Sequence, residues 1–125
     1  MLCWNGEAWR IRGAEIEEGE GDTREVFEVL LKAPDGRIDE VLGAVDGEFA
    51  FVFYDAPRGV CWFGRDWVGR RSMVVKGGGG EIRVASVGDG EVGWSEVDAG
   101  GVWRVEIESG DQRWVVKRAD GSDVR

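Results

Sequence analysis

An α+β fold is predicted by three features of the chain. Apolar residues recur at helical spacing in two segments of the first half, a run of short apolar stretches follows, and Gly-rich turns separate those stretches. At 125 residues the chain is a single domain, long enough to bury a core.

Residues 2–6 read as a short apolar strand running into a turn, and residues 15–21 as an acidic loop punctuated by glycine. Asp22 or Thr23 can cap a helix, and Val26, Phe27, Leu30 and Leu31 then recur at spacings of three and four along its buried side. Pro34-Asp35-Gly36 supplies the turn chemistry that ends it. Ile38, Val41, Leu42 and Val45 repeat the helical spacing over a second, shorter segment that stops at Asp46-Gly47. Phe49-Ala50-Phe51-Val52-Phe53-Tyr54 is too aromatic and continuous for a half-exposed strand, so both of its faces are expected to be buried. Residues 55–59 form a hairpin loop and residues 60–65 return as the partner strand.

Further strands are expected at 72–75, 81–85, 102–107 and 113–117. The glycine run 77–80 lacks the Lys-Ser/Thr pair and following helix of a phosphate-binding loop, and reads as a hairpin turn. Residues 119–125 read as a frayed tail, which leaves 1–118 as the domain.

Charge and composition narrow the function classes. With 16 Lys+Arg against 25 Asp+Glu, the net charge of −9 repels phosphate backbones and anionic lipid surfaces. Nucleic acid and membrane are therefore not expected partners. No apolar run approaches the roughly 20 residues that span a bilayer, and the start of the chain lacks a basic segment leading into an apolar one. A cytoplasmic location is expected. Cys3 and Cys61 stand in apolar or aromatic surroundings and read as two buried, unbridged thiols. With no His at all, neither a structural zinc site nor a Ser-His-Asp triad is expected, and no metal ligand set is assigned.

Asn5-Gly6-Glu7, Asp22-Thr23 and the stretch from Gly47-Glu48-Phe49-Ala50-Phe51 to Gly64-Arg65-Asp66-Trp67-Val68-Gly69 together resemble motifs of the class-II glutamine amidotransferases of the asparagine-synthetase type. Asn5-Gly6-Glu7, after Leu2-Cys3-Trp4, is similar to the family's Asn-Gly-Glu motif. Asp22-Thr23 opens a helix as the family's Ser/Thr-Asp-Ser/Thr-Glu segment does. Gly47-Glu48-Phe49-Ala50-Phe51 and, further on, Gly64-Arg65-Asp66-Trp67-Val68-Gly69 resemble its Gly-x-Phe-Ala-Phe hairpin and Ala-Arg-Asp-x-x-Gly strand end. The likeness runs from Leu2 to about Ile107.

The resemblance implies a partial αββα sandwich of the N-terminal-nucleophile hydrolase type, with antiparallel sheets and two helices. It also implies an activity. In that family an N-terminal cysteine attacks the side-chain amide of glutamine, with its own α-amino group as base, and ammonia leaves through a thioester, with neither histidine nor cofactor required.

By the same resemblance, the Asn5 side-chain amide and the Gly6 backbone N–H are the expected oxyanion donors, while Glu7 and Asp22 are expected to hold the substrate α-ammonium. Read without the family, Asn5-Gly6 is a turn and Asp22 a helix cap. Arg65, Asp66 and Gly69 are expected to form a salt-bridged corner, or a surface that meets a synthetase domain. Two departures stand out: Arg24 replaces a usual Glu, and Glu48 replaces a usual apolar residue. Cys3 follows a bulky Leu2 inside a strand, so it is not expected to be the nucleophile; that cysteine and the carboxylate-binding arginine belong to a segment expected upstream of Met1.

Glutamine is thus the expected ligand, with a synthetase domain or the N-terminal segment as protein partner. The alternative is a non-catalytic amidotransferase-like scaffold.

Overall fold

A computed structural model of the chain describes residues 1–11, 14–15, 22–33, 38–66, 68–78, 81–99, 101–108 and 113–118. The tail expected at 119–125, the turn at 34–36 and most of the acidic loop at 15–21 lie outside the described residues. Nine strands and two helices follow one another among those described: β1 (Leu2–Ile11), β2 (Ala14–Glu15), α1 (Asp22–Lys32), α2 (Ile38–Gly43), β3 (Val45–Asp55), β4 (Val60–Arg65), β5 (Val74–Gly78), β6 (Glu81–Ala85), β7 (Ser95–Glu96), β8 (Val102–Glu108) and β9 (Arg113–Arg118).

The strands form two antiparallel sheets, one of six strands in the order β2-β1-β3-β4-β8-β9 and one of three in the order β6-β5-β7. The α+β reading is correct, and the layers follow from the period-2 alternation of β3 and β4. Phe49, Phe51, Phe53 and Trp62 point to one face of the large sheet, where they pack with Val26 and Leu30 of α1 and with Ile38, Val41 and Leu42 of α2. Ala50 and Phe63 point to the opposite face and join Trp103 and Val105 of β8 against Met73 and Val97, with Val52, Cys61, Val75, Ile82 and Val84 at the margin. Helices, large sheet and small sheet therefore make three layers with two cores.

Expected and observed boundaries differ in several places. The strand expected at 72–75 is β5 at Val74–Gly78, so Gly77 and Gly78, expected in the hairpin turn, pair with β6 instead. The strand expected to turn at Gly6 continues to Ile11, because all of Leu2 to Ala8 pairs in register with β3. The register slips between Ala8 and Arg10, a bulge after which pairing resumes at Arg10 with Asp46 and Ile11 with Val45. Val45 was expected at the end of the second helix; instead α2 closes at Gly43, Ala44 N–H bonding to Glu40 O (3.2 Å) and Val41 O (3.1 Å), and Val45 opens β3. An apolar residue three positions after Leu42 satisfies both periods, so spacing alone does not separate them. The short strands β2 and β7 carry too few residues for any period to show. Among the described residues, no helix is long and apolar enough to cross a membrane.

Candidate functional site

The register of β1 on β3 arranges the residues singled out near the start of the chain. Cys3 lies opposite Val52, Asn5 opposite Ala50, Gly6 opposite Phe49 and Glu7 opposite Glu48. Directly opposed residues share a face, and Ala50 and Val52 belong to the core beneath the small sheet. Cys3, Asn5 and Glu7 therefore face the small sheet. Trp4 faces the helices, its ring stacked on Phe49 at 4.7 Å and 18°.

Gly6 is held by backbone crowding. Its φ is 139°, and a Cβ there would run into the carbonyl oxygen of Glu48 and the Cα of Phe49. Only glycine fits this approach of the two strands without strain. The hydrogen bonds of Phe49 add a second point. Its N–H donates to Asp66 Oδ2 (3.0 Å) and its C=O accepts from Asp66 N–H (2.9 Å), so both groups point toward β4. Gly6 and Phe49 are consequently a non-hydrogen-bonded pair, and the Gly6 N–H points away from β3, off the flank of β1. The strand β2 meets that flank only at Arg10 and Ile11. The Asn5 side chain lines a cavity of about 190 Å³ between the sheets with Cys3, Ser72 and Ser86.

Glu7 is exposed and adjoins Glu48 across the strand pair. Glu48 is half-buried and accepts from Arg71 Nη2 at 3.0 Å, which balances one of the two carboxylates. Asp22 opens α1, which packs on the other face of β1, so it enters from the helical layer. The structure describes its backbone position only.

Arg65, Asp66 and Gly69 come together at the end of β4. Asp66 is only 5% exposed, and besides its bonds to Phe49 its Oδ1 accepts from the N–H groups of Val68 (3.0 Å) and Gly69 (2.9 Å). One carboxylate thereby satisfies three backbone donors and pins the loop to the central strand. Gly69 has φ 71°, the left-handed conformation that glycine adopts without cost, and its absent Cβ leaves room for the Arg65 guanidinium. Arg65 donates through Nη1 to Gly69 O (3.4 Å) and Arg71 O (3.5 Å), and through Nη2 to Glu96 Oε1 of β7 (3.0 Å). This arginine ties the large sheet to the small one.

Beyond this polar end the space between the sheets is apolar. A slot of about 640 Å³ runs between Cys3, Val52 and Cys61 on one wall and Ile82 and Val84 on the other. Both cysteines are free; Cys61 is half-buried, whereas Cys3, expected to be buried, is exposed at the mouth of this slot. Burial pushes the Cys61 thiol up, the neighbouring Cys3 adds to the rise, and the terminal ammonium opposes it. A raised thiol is a poor nucleophile at neutral pH. Among the described residues no group of three or more His, Cys, Asp or Glu is placed to hold a metal ion. Sequence reading missed the Glu48–Arg71 pair and Glu96; the signal for the first was a carboxylate inside an otherwise apolar hairpin.

Known proteins resemble this chain in sequence and in fold. It is 34% identical over 116 residues to the human (Homo sapiens) asparagine synthetase domain-containing protein 1, covering 87% of this chain and 18% of that protein. The Mus musculus protein of the same name is 32% identical over the same length, and an asparagine synthetase domain-containing protein of Saccharomyces cerevisiae is 33% identical over 74 residues, 58% of this chain and 14% of that one. The chain thus spans less than a fifth of the curated relatives it matches. No family model matches it. Among solved structures it resembles the glutamine phosphoribosylpyrophosphate amidotransferase of B. subtilis, complexed with ADP and GMP, with a TM-score of 0.64 and 17% identity over 94% of this chain and 28% of that one. Identity at that level speaks for the fold. The ordered motifs, the named relatives and the two-sheet architecture agree: the chain belongs to the asparagine synthetase domain-containing family and shares its fold with a glutamine amidotransferase.

Proposed function

We propose that this chain is the glutamine-binding portion of a glutaminase in an asparagine-synthetase-like protein serving glutamine-dependent asparagine formation. The observation that carries the reading is the Gly6 N–H turned off the flank of β1, unused by β3, directly after Asn5. Two donors on adjacent residues suit a carbonyl oxygen that gains charge when a thiolate adds to the amide carbon. Glu7 on the inter-sheet face then receives the α-ammonium of glutamine, and Asp22, at the start of α1 on the other face, reaches the same group past the flank of β1. When the tetrahedral adduct collapses, the C–N bond breaks, ammonia leaves and a thioester remains for water to hydrolyse.

The mechanism calls for a cysteine at an N-terminus. Cys3 stands within β1 and Cys61 within β4, so neither supplies it, and these 125 residues alone are expected to bind glutamine without hydrolysing it. A synthetase domain is the proposed consumer of the ammonia. Cytoplasmic residence is part of the proposal and is supported by two unbridged thiols.

Isothermal titration of the folded chain with glutamine tests the reading. Millimolar or tighter binding is expected, with a loss of about tenfold in Glu7→Gln as one charge partner of the ammonium disappears. A folded chain that gives no heat would leave the scaffold reading standing. Ammonia release by this chain would refute the assignment of the nucleophile to another segment.

A further inference from the structure

Glu7 and Glu48 stand directly opposite each other on β1 and β3. The preceding pair, Gly6 with Phe49, is non-hydrogen-bonded, so this one is hydrogen-bonded, with Cα atoms about 5.5 Å apart. Both side chains face the small sheet, as those of Asn5 and Ala50 do two positions along. Like charges set opposite each other on neighbouring strands repel. Arg71, in the link between β4 and β5, relieves that repulsion by donating from Nη2 to Glu48 Oε1 at 3.0 Å.

Arg71 is itself held in place. Its C=O accepts from Nη1 of Arg65 (3.5 Å), whose side chain is 8% exposed and spends its charge on Glu96. Among the described residues Glu48 is the one side-chain partner of Arg71, and the Arg71 side chain is about one third exposed. A single bond from Nη2 leaves Nε and Nη1 to donate to a second carboxylate. The charges therefore run in order: the exposed Glu7, then Glu48 neutralised by its ion pair, then a guanidinium with unused donors.

An α-amino acid carries its ammonium and its carboxylate on one carbon, so a site that takes the first needs an anion-binding group close to it. Arg71, one residue removed from Glu7, is such a group. We propose that Arg71 is a specificity-determining residue that receives the α-carboxylate of glutamine while Glu7 holds the ammonium, with Glu48 keeping the guanidinium in position. The inference rests on the glutamine reading above, and Arg71 acts in addition to the arginine that the resemblance places upstream of Met1. Such a site selects the free amino acid, because an amidated or peptide-linked carboxyl group offers the guanidinium no charge.

Isothermal titration of the full chain with L-glutamine and with L-glutaminamide tests it, at about pH 6.5, below the usual α-amino range, so that both ligands keep their ammonium. The two differ in the charge of the α-carboxyl group alone. The unaltered chain should prefer glutamine about tenfold or more. Arg71→Gln should reduce that preference to about twofold or less, whereas Glu48→Gln, which breaks the same ion pair but leaves the guanidinium, should retain it. Both side chains are partly exposed, so circular dichroism should report an unchanged fold in each variant. Glutamine binding without a preference over glutaminamide, a preference that survives Arg71→Gln, or one that Glu48→Gln abolishes equally would overturn this inference and leave the glutamine reading intact. A folded chain that binds neither ligand overturns both.

Discussion

The two faces of the large sheet are built to different standards. Toward the helices, Phe51 and Phe53 are each 1% exposed and sit among Val26, Leu30 and Ile38 in a closed core. Toward the small sheet, Val52, Cys61, Val75, Ile82 and Val84 are half-buried and border a slot of about 640 Å³. Among the described residues three strands face six, and the second face keeps this open space. The expected consequence is a difference in energetics: side chains on the helical face contribute more to stability than those bordering the slot.

Substitutions on the two faces test this difference. Phe51→Ala should have the largest effect, about 4 kcal/mol in urea unfolding, since it removes a large side chain from a closed core. Asp66→Ala should follow at about 3 kcal/mol, because it strands the N–H groups of Phe49, Val68 and Gly69. Gly6→Ala should cost about 2 kcal/mol by forcing a Cβ against the β3 backbone, with glutamine binding reduced in parallel if the strands part. Val75→Ala, bordering the slot, should cost about 1 kcal/mol; a loss equal to that of Phe51→Ala would abolish the contrast.

The smallest effect belongs to Cys61. Its folded pKa is raised, chiefly by burial, so the folded state holds the proton more firmly than the unfolded chain. The stability contributed by the protonated thiol is therefore complete below the unfolded value, about pH 8.5, and is lost as pH rises through the folded value. Cys61→Ala should flatten this alkaline decline in thermal melts taken across that range. An identical decline in the variant would assign it to other groups.

Much of the architecture was legible in the chain because local spacing is sufficient for it. Val26, Phe27 and Leu30 mark one side of α1, and the run from Phe49 to Phe53 could only be a covered strand. Boundaries were less legible where one residue serves two periods, as Val45 does between α2 and β3. At the candidate site, Asn5-Gly6-Glu7 was visible as a motif, yet its setting in the middle of a strand was not, since a glycine that turns and a glycine that admits a neighbouring backbone look alike in one dimension. The Arg65–Asp66–Gly69 grouping was visible because its members are close in sequence. Glu96 and Arg71 were not, because their partners lie 31 and 23 residues away.

By itself, the order of residues determined the two helices and the longer strands, which side of each is apolar, and the motifs shared with the amidotransferases. These depend on period, turn chemistry and composition, all of which act over a few residues. Only the tertiary structure decided that the Gly6 N–H leaves the sheet beside Asn5, that Glu48 answers Arg71, and that Cys3 is exposed. Each of these turns on which strand lies next to which, and pairing register is set by contacts between residues far apart in the chain.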